Sequence, residues 1–408
     1  VAACRDPKRT AKHRLYDGAR RYADRAKERQ RGAKSRRHAS TAKCRVRDAA
    51  RQENSTRKTL NLNTKLKIEE NVPLAPLTTL GIGGAARFFV RAETADDVVE
   101  ALNHARENDL NVFVLGGGSN LLVSDDGFNG LVLQIALQGY DNLKLETRNS
   151  KPITAGAGEE WDRFVAHCVE NNLAGVECLS GIPGFVGGTP VQNVGAYGQE
   201  VSETIVSVRC IDRLINEVVE LSNADCGFSY RTSIFNSTER DRYIVLSVSY
   251  QLKLGGEPKI TYKDLINVFD GKKPSLGEVR DAVLKIRREK SMVIDDADPN
   301  SRSAGSFFKN PVVEISKLEE IKQTREDVPH FAFGDKVKIP AAWLIESAGF
   351  HKGYALAGAG ISTNHTLALI NRGNATAAEI IALKDKIQSA VAAKFDIALV
   401  PEPVFVGF

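Results

Sequence analysis

The sequence predicts an α+β fold in more than one lobe. Helices announced by N-terminal caps alternate with short apolar strands, two glycine-rich stretches interrupt that pattern, and a β-rich block lies between the second of them and a basic helix. At 408 residues the chain can bury a sizeable core and divide into two or three domains.

From about Leu62 the elements follow in order. Thr94 is placed to cap a helix whose apolar face is Val98, Ala101, Leu102 and Ala105, and the strand Val112–Leu115 follows it. Directly after that strand comes the loop Gly116-Gly117-Gly118-Ser119-Asn120. The second glycine-rich stretch runs from Ser180 to Gly198. Val206–Ile211, Val218–Leu221 and Tyr243–Leu252 then have strand composition, several with polar/apolar alternation. Ser275 and Glu278 form a capping box for a helix with Val279, Val283 and Ile286 on one face, while Arg280, Lys285, Arg287, Arg288 and Lys290 fill its other face and end. Thr376 and Glu379 repeat the box before Ile380, Leu383, Ile387 and Val391.

Charge divides the chain. Residues 1–59 hold 20 Lys/Arg against 6 Asp/Glu, or +14, leaving 36 against 45, or −9, in the remainder. The arm has few large apolar residues beyond Leu15, Tyr16, Tyr22 and Val46, too little to offset its ordering entropy, and is expected to be disordered. Clustered Lys/Arg leaves a nucleic-acid-binding tail open as one reading. The favoured one is a spurious leader, because the chain begins with Val, its only Met is Met292, and the arm lacks apolar periodicity and aromatic interleaving. No apolar run approaches the ~18–20 residues that cross a bilayer, so a cytoplasmic protein is expected. The six cysteines form no CxxC pair and no His/Cys ligand spacing, and no metal is expected.

Glycines after a strand let consecutive N–H groups turn toward an anion, so Gly116–Asn120 suits phosphate. It is neither a Gly-x-Gly-x-x-Gly fingerprint nor a P-loop, and alone it reads equally as a tight turn. The second stretch, rich in glycine with interspersed polar residues, suits close backbone contact with a large flat cofactor. Two such loops point to a flavin dinucleotide.

The motifs Thr79–Gly84, Leu115–Leu122, Ile182–Gly198, Phe228-Ser229-Tyr230-Arg231-Thr232-Ser233, Ala304–Pro311 and Pro401-Glu402-Pro403 occur in that order. Together they resemble the UDP-N-acetylenolpyruvoylglucosamine reductase family from about residue 70 to the C-terminus. The resemblance implies a two-lobed FAD-binding module of the vanillyl-alcohol-oxidase type over 62–290, an α+β substrate-binding domain over 291–395, and a C-terminal strand over 396–408 carrying Glu402. It implies NADPH-dependent reduction, through FAD, of an enolpyruvyl UDP-sugar for the bacterial cell wall. A cytoplasmic monomer with no membrane partner is expected, and no nucleic-acid partner unless the basic arm is genuinely part of the protein.

Carried over by motif, Arg231 and Glu402 would hold the substrate carboxylate region and Ser306 would donate the proton. The cofactor would lie on Gly116, Gly117, Gly118, Ser119 and Asn120, and on Ile182, Gly184, Gly188, Thr189, Gln192, Asn193, Gly195, Ala196, Tyr197 and Gly198. Arg287 resembles a cofactor-side cation, and Tyr262, Lys290 and Asn310 resemble substrate contacts, Tyr262 as the covering tyrosine of one form of the family. A core strand aromatic remains open for Tyr262, and a solvated helix face for Arg287 and Lys290. Another flavin-linked oxidase of the same fold is the rival activity, although neither glycine stretch holds a His or Cys of the kind that tethers flavin in such oxidases.

Overall fold

A computed structural model describes residues 66–142 and 150–408, with side chains described outside 142–151. The arm at 1–59 lies outside the described residues. The first sheet joins β1 (Glu69–Pro73), β2 (Ala85–Ala92), β3 (Val112–Leu115) and a strand at Phe128–Ile135 that follows the short β4 (Leu121–Val123) and is therefore β5. Its order is β1-β2-β5-β3, with β5 parallel to both β2 and β3. Parallel neighbours need a crossover. Helix α1 (Ala95–Glu107) provides it, and its start is locally encoded: Thr94 Oγ1 accepts the Asp97 N–H at 3.1 Å while Asp97 accepts the Thr94 N–H at 2.8 Å. Val98, Ala101, Leu102 and Ala105 are buried, as the spacing predicts.

The second lobe is antiparallel. Strands β6 (Tyr140–Asn142), β7 (Ser150–Gly156), β11 (Ile205–Asp212), β12 (Glu217–Ser222) and β13 (Tyr243–Leu254) lie in the order β12-β11-β13-β7-β6, and β8 (Leu173–Ala174) also pairs with β13. Between β8 and β11 the chain makes the ribbon β9 (Gly195–Ala196) and β10 (Gln199–Glu200). Helix α2 (Trp161–Glu170) packs Trp161 and Phe164 against Tyr250 of β13, with ring centroids 5.0–6.0 Å apart. The indole N–H donates to the Leu179 carbonyl at 3.0 Å, so burial leaves it satisfied. Phe164 is wholly buried, and truncating it to Ala would cost ~3–5 kcal/mol.

Two helices follow, α3 (Lys263–Phe269) and α4 (Leu276–Glu289). The Ser275/Glu278 box forms as predicted, and Val279, Val283 and Ile286 are buried. Arg287 departs from a solvated face: it is 7% exposed, folded under the end of α4 with Nη2 donating to the Met292 carbonyl at 2.6 Å. Tyr262 is no core strand aromatic either; it is the exposed N-cap residue of α3.

The remaining chain forms a second core, with β14 (Val312–Val313), α5 (Ile315–Lys322), β15 (Phe331–Phe333), β16 (Lys336–Lys338), α6 (Ala341–Ser347), β17 (Ala355–Leu356), β18 (Ala359–Ile361), β19 (Leu369–Asn371) and α7 (Ala377–Phe395). Ile380, Leu383, Ile387 and Val391 point into it, and Leu80, Ile82 and Leu122 of the first lobe complete it. Asp125, just past β4, accepts the N–H groups of Ala377 and Ala378 at 2.7 and 3.0 Å and so closes the α7 N-terminus from the other lobe. The last strand, β20 (Val404–Val406), returns to pair in parallel with β4. Among the described residues no helix is long and apolar enough to cross a membrane, and no cluster of three His, Cys, Asp or Glu could hold a metal.

Candidate active site

The two glycine stretches meet. A Cβ on Gly117 would lie 2.7 Å from the Gly184 Cα, and one on Gly184 would lie 2.6 Å from Ser119 Oγ, so both positions must be bare for the loops to touch. At Gly116 and Gly188 an added Cβ would meet nothing within 4 Å, so backbone there faces open space. That is the cradle a phosphate chain and a flat ring require, and the residues present fit FAD. Asn120 locks the assembly, donating to Gln192 Oε1 at 2.9 Å and to the Glu402 carbonyl at 3.3 Å.

Electrostatics holds the second stretch in place. Asp162 of α2 accepts the Gly181 N–H at 2.6 Å and is gripped by both Nη atoms of Arg280 on α4, at 2.6 and 2.8 Å. Burial alone would raise its carboxyl, but these donors hold it below the usual range. Ile182 packs on the main core. The side chains of Thr189 and Asn193 are engaged by the protein. The Thr189 hydroxyl bonds Tyr250 and the Val186 carbonyl, and Asn193 bonds Glu200, Ser202 and Ser229. The β9–β10 turn puts Tyr197 at φ 49° and Gly198 at φ 82°, the pair of positive angles a two-residue hairpin wants.

Of the three residues expected to act on the substrate, Arg231 and Glu402 meet directly, and the Ser306 segment is joined to Glu402 through the backbone. Arg231 sits at φ 53° in a turn closed by reciprocal Ser229 and Thr232 backbone bonds, with Asn236 donating to its carbonyl. A left-handed non-glycine costs ~1–3 kcal/mol and persists only where the surroundings enforce it. The result aims Arg231 Nε at Glu402, 3.4 Å from Oε1, yet that buried Nε makes no hydrogen bond. Burial raises the Glu402 carboxyl above the usual range, against the pull of Arg231 and Lys309. Glu402 is tied to the Ser306 segment because its N–H donates to the Phe307 carbonyl and Lys309 N–H donates to the Val400 carbonyl, each at 2.9 Å. Asn310 accepts the Ala341 N–H at 2.9 Å and also bonds Tyr230, the neighbour of Arg231.

A cationic group borders this centre. Tyr197 meets Tyr262 edge-on at 5.4 Å between centroids; Lys290, at the end of α4, lies 5.9 Å from the Tyr197 centroid and pairs with Asp264 at 2.8 Å. Arg287 is a hydrogen-bond partner of Tyr197, but its own Nε has none. Two residues of the site were not singled out from sequence. Lys338 of β16 stacks 3.7 Å over the Tyr230 ring and 4.8 Å from that of Phe333, and His365 lies 3.4 Å from Ser306 Oγ. The lysine occupies alternate position 338 of a short hairpin and the histidine a loop before β19; neither carried a local pattern.

A two-loop glycine cradle joined to a C-terminal α+β domain defines a flavin-binding oxidoreductase, and a family model described as an FAD binding domain matches residues 86–222. The model of the UDP-N-acetylenolpyruvoylglucosamine reductase C-terminal domain matches residues 298–406. The UDP-N-acetylenolpyruvoylglucosamine reductase of Thermobifida fusca is 46% identical over 349 residues, covering 83% of this chain and 97% of that protein. The Streptomyces coelicolor protein of the same name is 44% identical over 352 residues, 83% and 90% of the two chains. The crystal structure of UDP-N-acetylenolpyruvylglucosamine reductase from Thermus caldophilus shares the fold, with a TM-score of 0.59 at 24% identity over 84% of this chain and 100% of that one. The chain belongs to the UDP-N-acetylenolpyruvoylglucosamine reductase family.

Proposed function

We propose that the chain reduces UDP-N-acetylglucosamine enolpyruvate to UDP-N-acetylmuramate for peptidoglycan synthesis, drawing electrons from NADPH through FAD. The observation that carries the reading is the pairing of Arg231 with a Glu402 whose carboxyl is pushed up by burial and whose N–H is tied to the carbonyl of Phe307, next to Ser306. Residues 62–290 are assigned to the flavin module, 291–395 to substrate binding and 396–408 to the return strand.

FAD bound there and reduced by NADPH would supply a hydride for the terminal vinyl carbon. Gly116–Asn120 and Ile182–Gly198 would hold it, with Arg287 near its edge. As the double bond accepts the hydride, charge moves onto the substrate carboxylate. The Arg231 guanidinium, whose Nε makes no hydrogen bond within the protein, would stabilise that charge, and Glu402 would assist as a donor in its neutral form, since a bare carboxylate would oppose the reaction. Ser306 passes its hydroxyl hydrogen to the adjacent carbon. Tyr262, Lys290 and Asn310 bind the sugar nucleotide.

The absorption spectrum of the purified protein tests this. An FAD spectrum that NADPH bleaches and the enolpyruvyl substrate restores is expected, as is release of free flavin on heat denaturation. Turnover of an alcohol with oxygen in the absence of NADPH would identify an oxidase and overturn the reading. Action as a cytoplasmic monomer, without nucleic acid, belongs to the same proposal and is checked by gel filtration.

A further inference from the structure

After Ser306 gives up its hydrogen the oxygen left behind is an alkoxide, a strong base that a buried site must stabilise if the transfer is to proceed. The group in contact with that oxygen is an imidazole: His365 Nε2 lies 3.4 Å from Ser306 Oγ. Its backbone is fixed, since the His365 carbonyl accepts the Ala368 N–H at 3.1 Å and the next residue, Thr366, bonds Glu346. Three cations act on it from two segments: Lys290 and Arg287 from the end of α4, and Lys352 from the turn before β17. Burial first, and then these charges, push the imidazole down to about 4, so it is neutral at pH 7 and carries one N–H.

The choice of nitrogen decides what the contact does. With the hydrogen on Nδ1, Nε2 would accept the serine O–H and hold the reactive hydrogen away from the substrate. With the hydrogen on Nε2, the imidazole donates to Oγ and the serine hydrogen is free to leave. The surrounding positive charge favours the second arrangement, because it stabilises negative charge growing on Oγ. We propose that His365 is a positioning residue for the Ser306 proton donor, donating Nε2–H to Oγ so that the hydroxyl hydrogen faces the substrate carbon and the alkoxide is stabilised once it has gone. The step balances: a hydride and a proton saturate the double bond, and the alkoxide regains its hydrogen from water after product leaves. His365 itself stays neutral throughout and supplies no proton.

The inference rests on the reductase reading, and stopped-flow absorbance separates the two. Native holoenzyme bleached by NADPH and then failing to reoxidise with the enolpyruvyl substrate would refute the reading itself. If native enzyme reoxidises, His365→Leu and His365→Gln decide about the histidine, since a glutamine amide can place an N–H where Nε2 stands. Flavin bleaching is expected to stay within about twofold of native in both. Reoxidation is expected to fall ~10²–10³-fold in His365→Leu, the usual loss for one such donor, and to recover at least tenfold of that in His365→Gln. Equal loss in both half-reactions, or glutamine as slow as leucine, would overturn the proposal. A second readout does not depend on turnover: ¹⁵N-histidine spectra of the holoenzyme at pH 7, assigned by difference with His365→Gln, should show a neutral ring protonated at Nε2. A ring protonated at Nδ1, or an imidazolium, would overturn it.

Discussion

The N–H of Glu402 donates to the carbonyl of Phe307 across 2.9 Å, so the acid and the neighbouring Ser306 are set by one backbone bond although 96 positions separate Ser306 from Glu402. Neither can shift far without the other. Substitutions that spare this backbone should therefore report on side-chain chemistry alone.

Ser306→Ala should leave flavin bleaching by NADPH near normal and slow reoxidation by the enolpyruvyl substrate at least ~10²–10⁴-fold, the usual worth of a positioned acid. Cysteine at 306 can donate a proton and should recover part of the rate. Stopped-flow absorbance reads both steps on one sample; parallel loss of both would assign Ser306 a structural role.

Glu402 makes stability depend on pH in a predictable sense. Its folded carboxyl is raised by burial, so the fold binds a proton more tightly than the unfolded chain does. That contribution is complete below the ordinary glutamate range and is lost as pH rises through the raised folded value. Glu402→Gln removes it. Whatever the offset between the two proteins, native Tm should decline relative to Glu402→Gln as pH climbs from about 4 toward 7, and parallel Tm curves would contradict the assignment.

Gly116 and Gly117 should respond differently to alanine. At Gly117 the new methyl would strike the Gly184 backbone at 2.7 Å, so even the apoprotein should lose ~1–3 kcal/mol, the usual cost of overpacking. At Gly116 it would meet no protein atom, and apoprotein stability should hold while FAD affinity falls tenfold or more. Urea denaturation and flavin-fluorescence titration check the two halves.

Asp125→Ala should cost ~0.5–2 kcal/mol, the range for losing an N-cap, because it leaves the Ala377 and Ala378 N–H groups without their acceptor. Denaturation with and without added flavin would show whether this contact between lobes also bears on cofactor retention.

Legibility in the sequence followed distance along the chain. The caps at Thr94, Ser275 and Thr376 and the apolar faces behind them were readable because acceptor, donor and periodicity lie within a few residues. Arg287 belongs to the same helix as Ser275 yet was ambiguous, since its burial depends on Met292 and Tyr197 folding over it. The grouping of Arg231, Ser306 and Glu402 was reachable only through the family resemblance; nothing local in Tyr230-Arg231-Thr232 announces a left-handed turn aimed at residue 402. His365 and Lys338 had no such guide. The meeting of Gly117 with Gly184 lay in plain sight as two glycine runs, but that they touch is a property of lobes docking.

That contact makes the cradle an assembly problem. Its two walls are brought together from opposite sheets and exist as a site only in chains whose lobes are already joined. Whatever binds there must, by mass action, hold the joined form: a ligand at a hundredfold its Kd adds ~2.7 kcal/mol. FAD is then part of the folding equilibrium as well as the chemistry, and a cell short of riboflavin would lose standing stock of this protein along with its turnover.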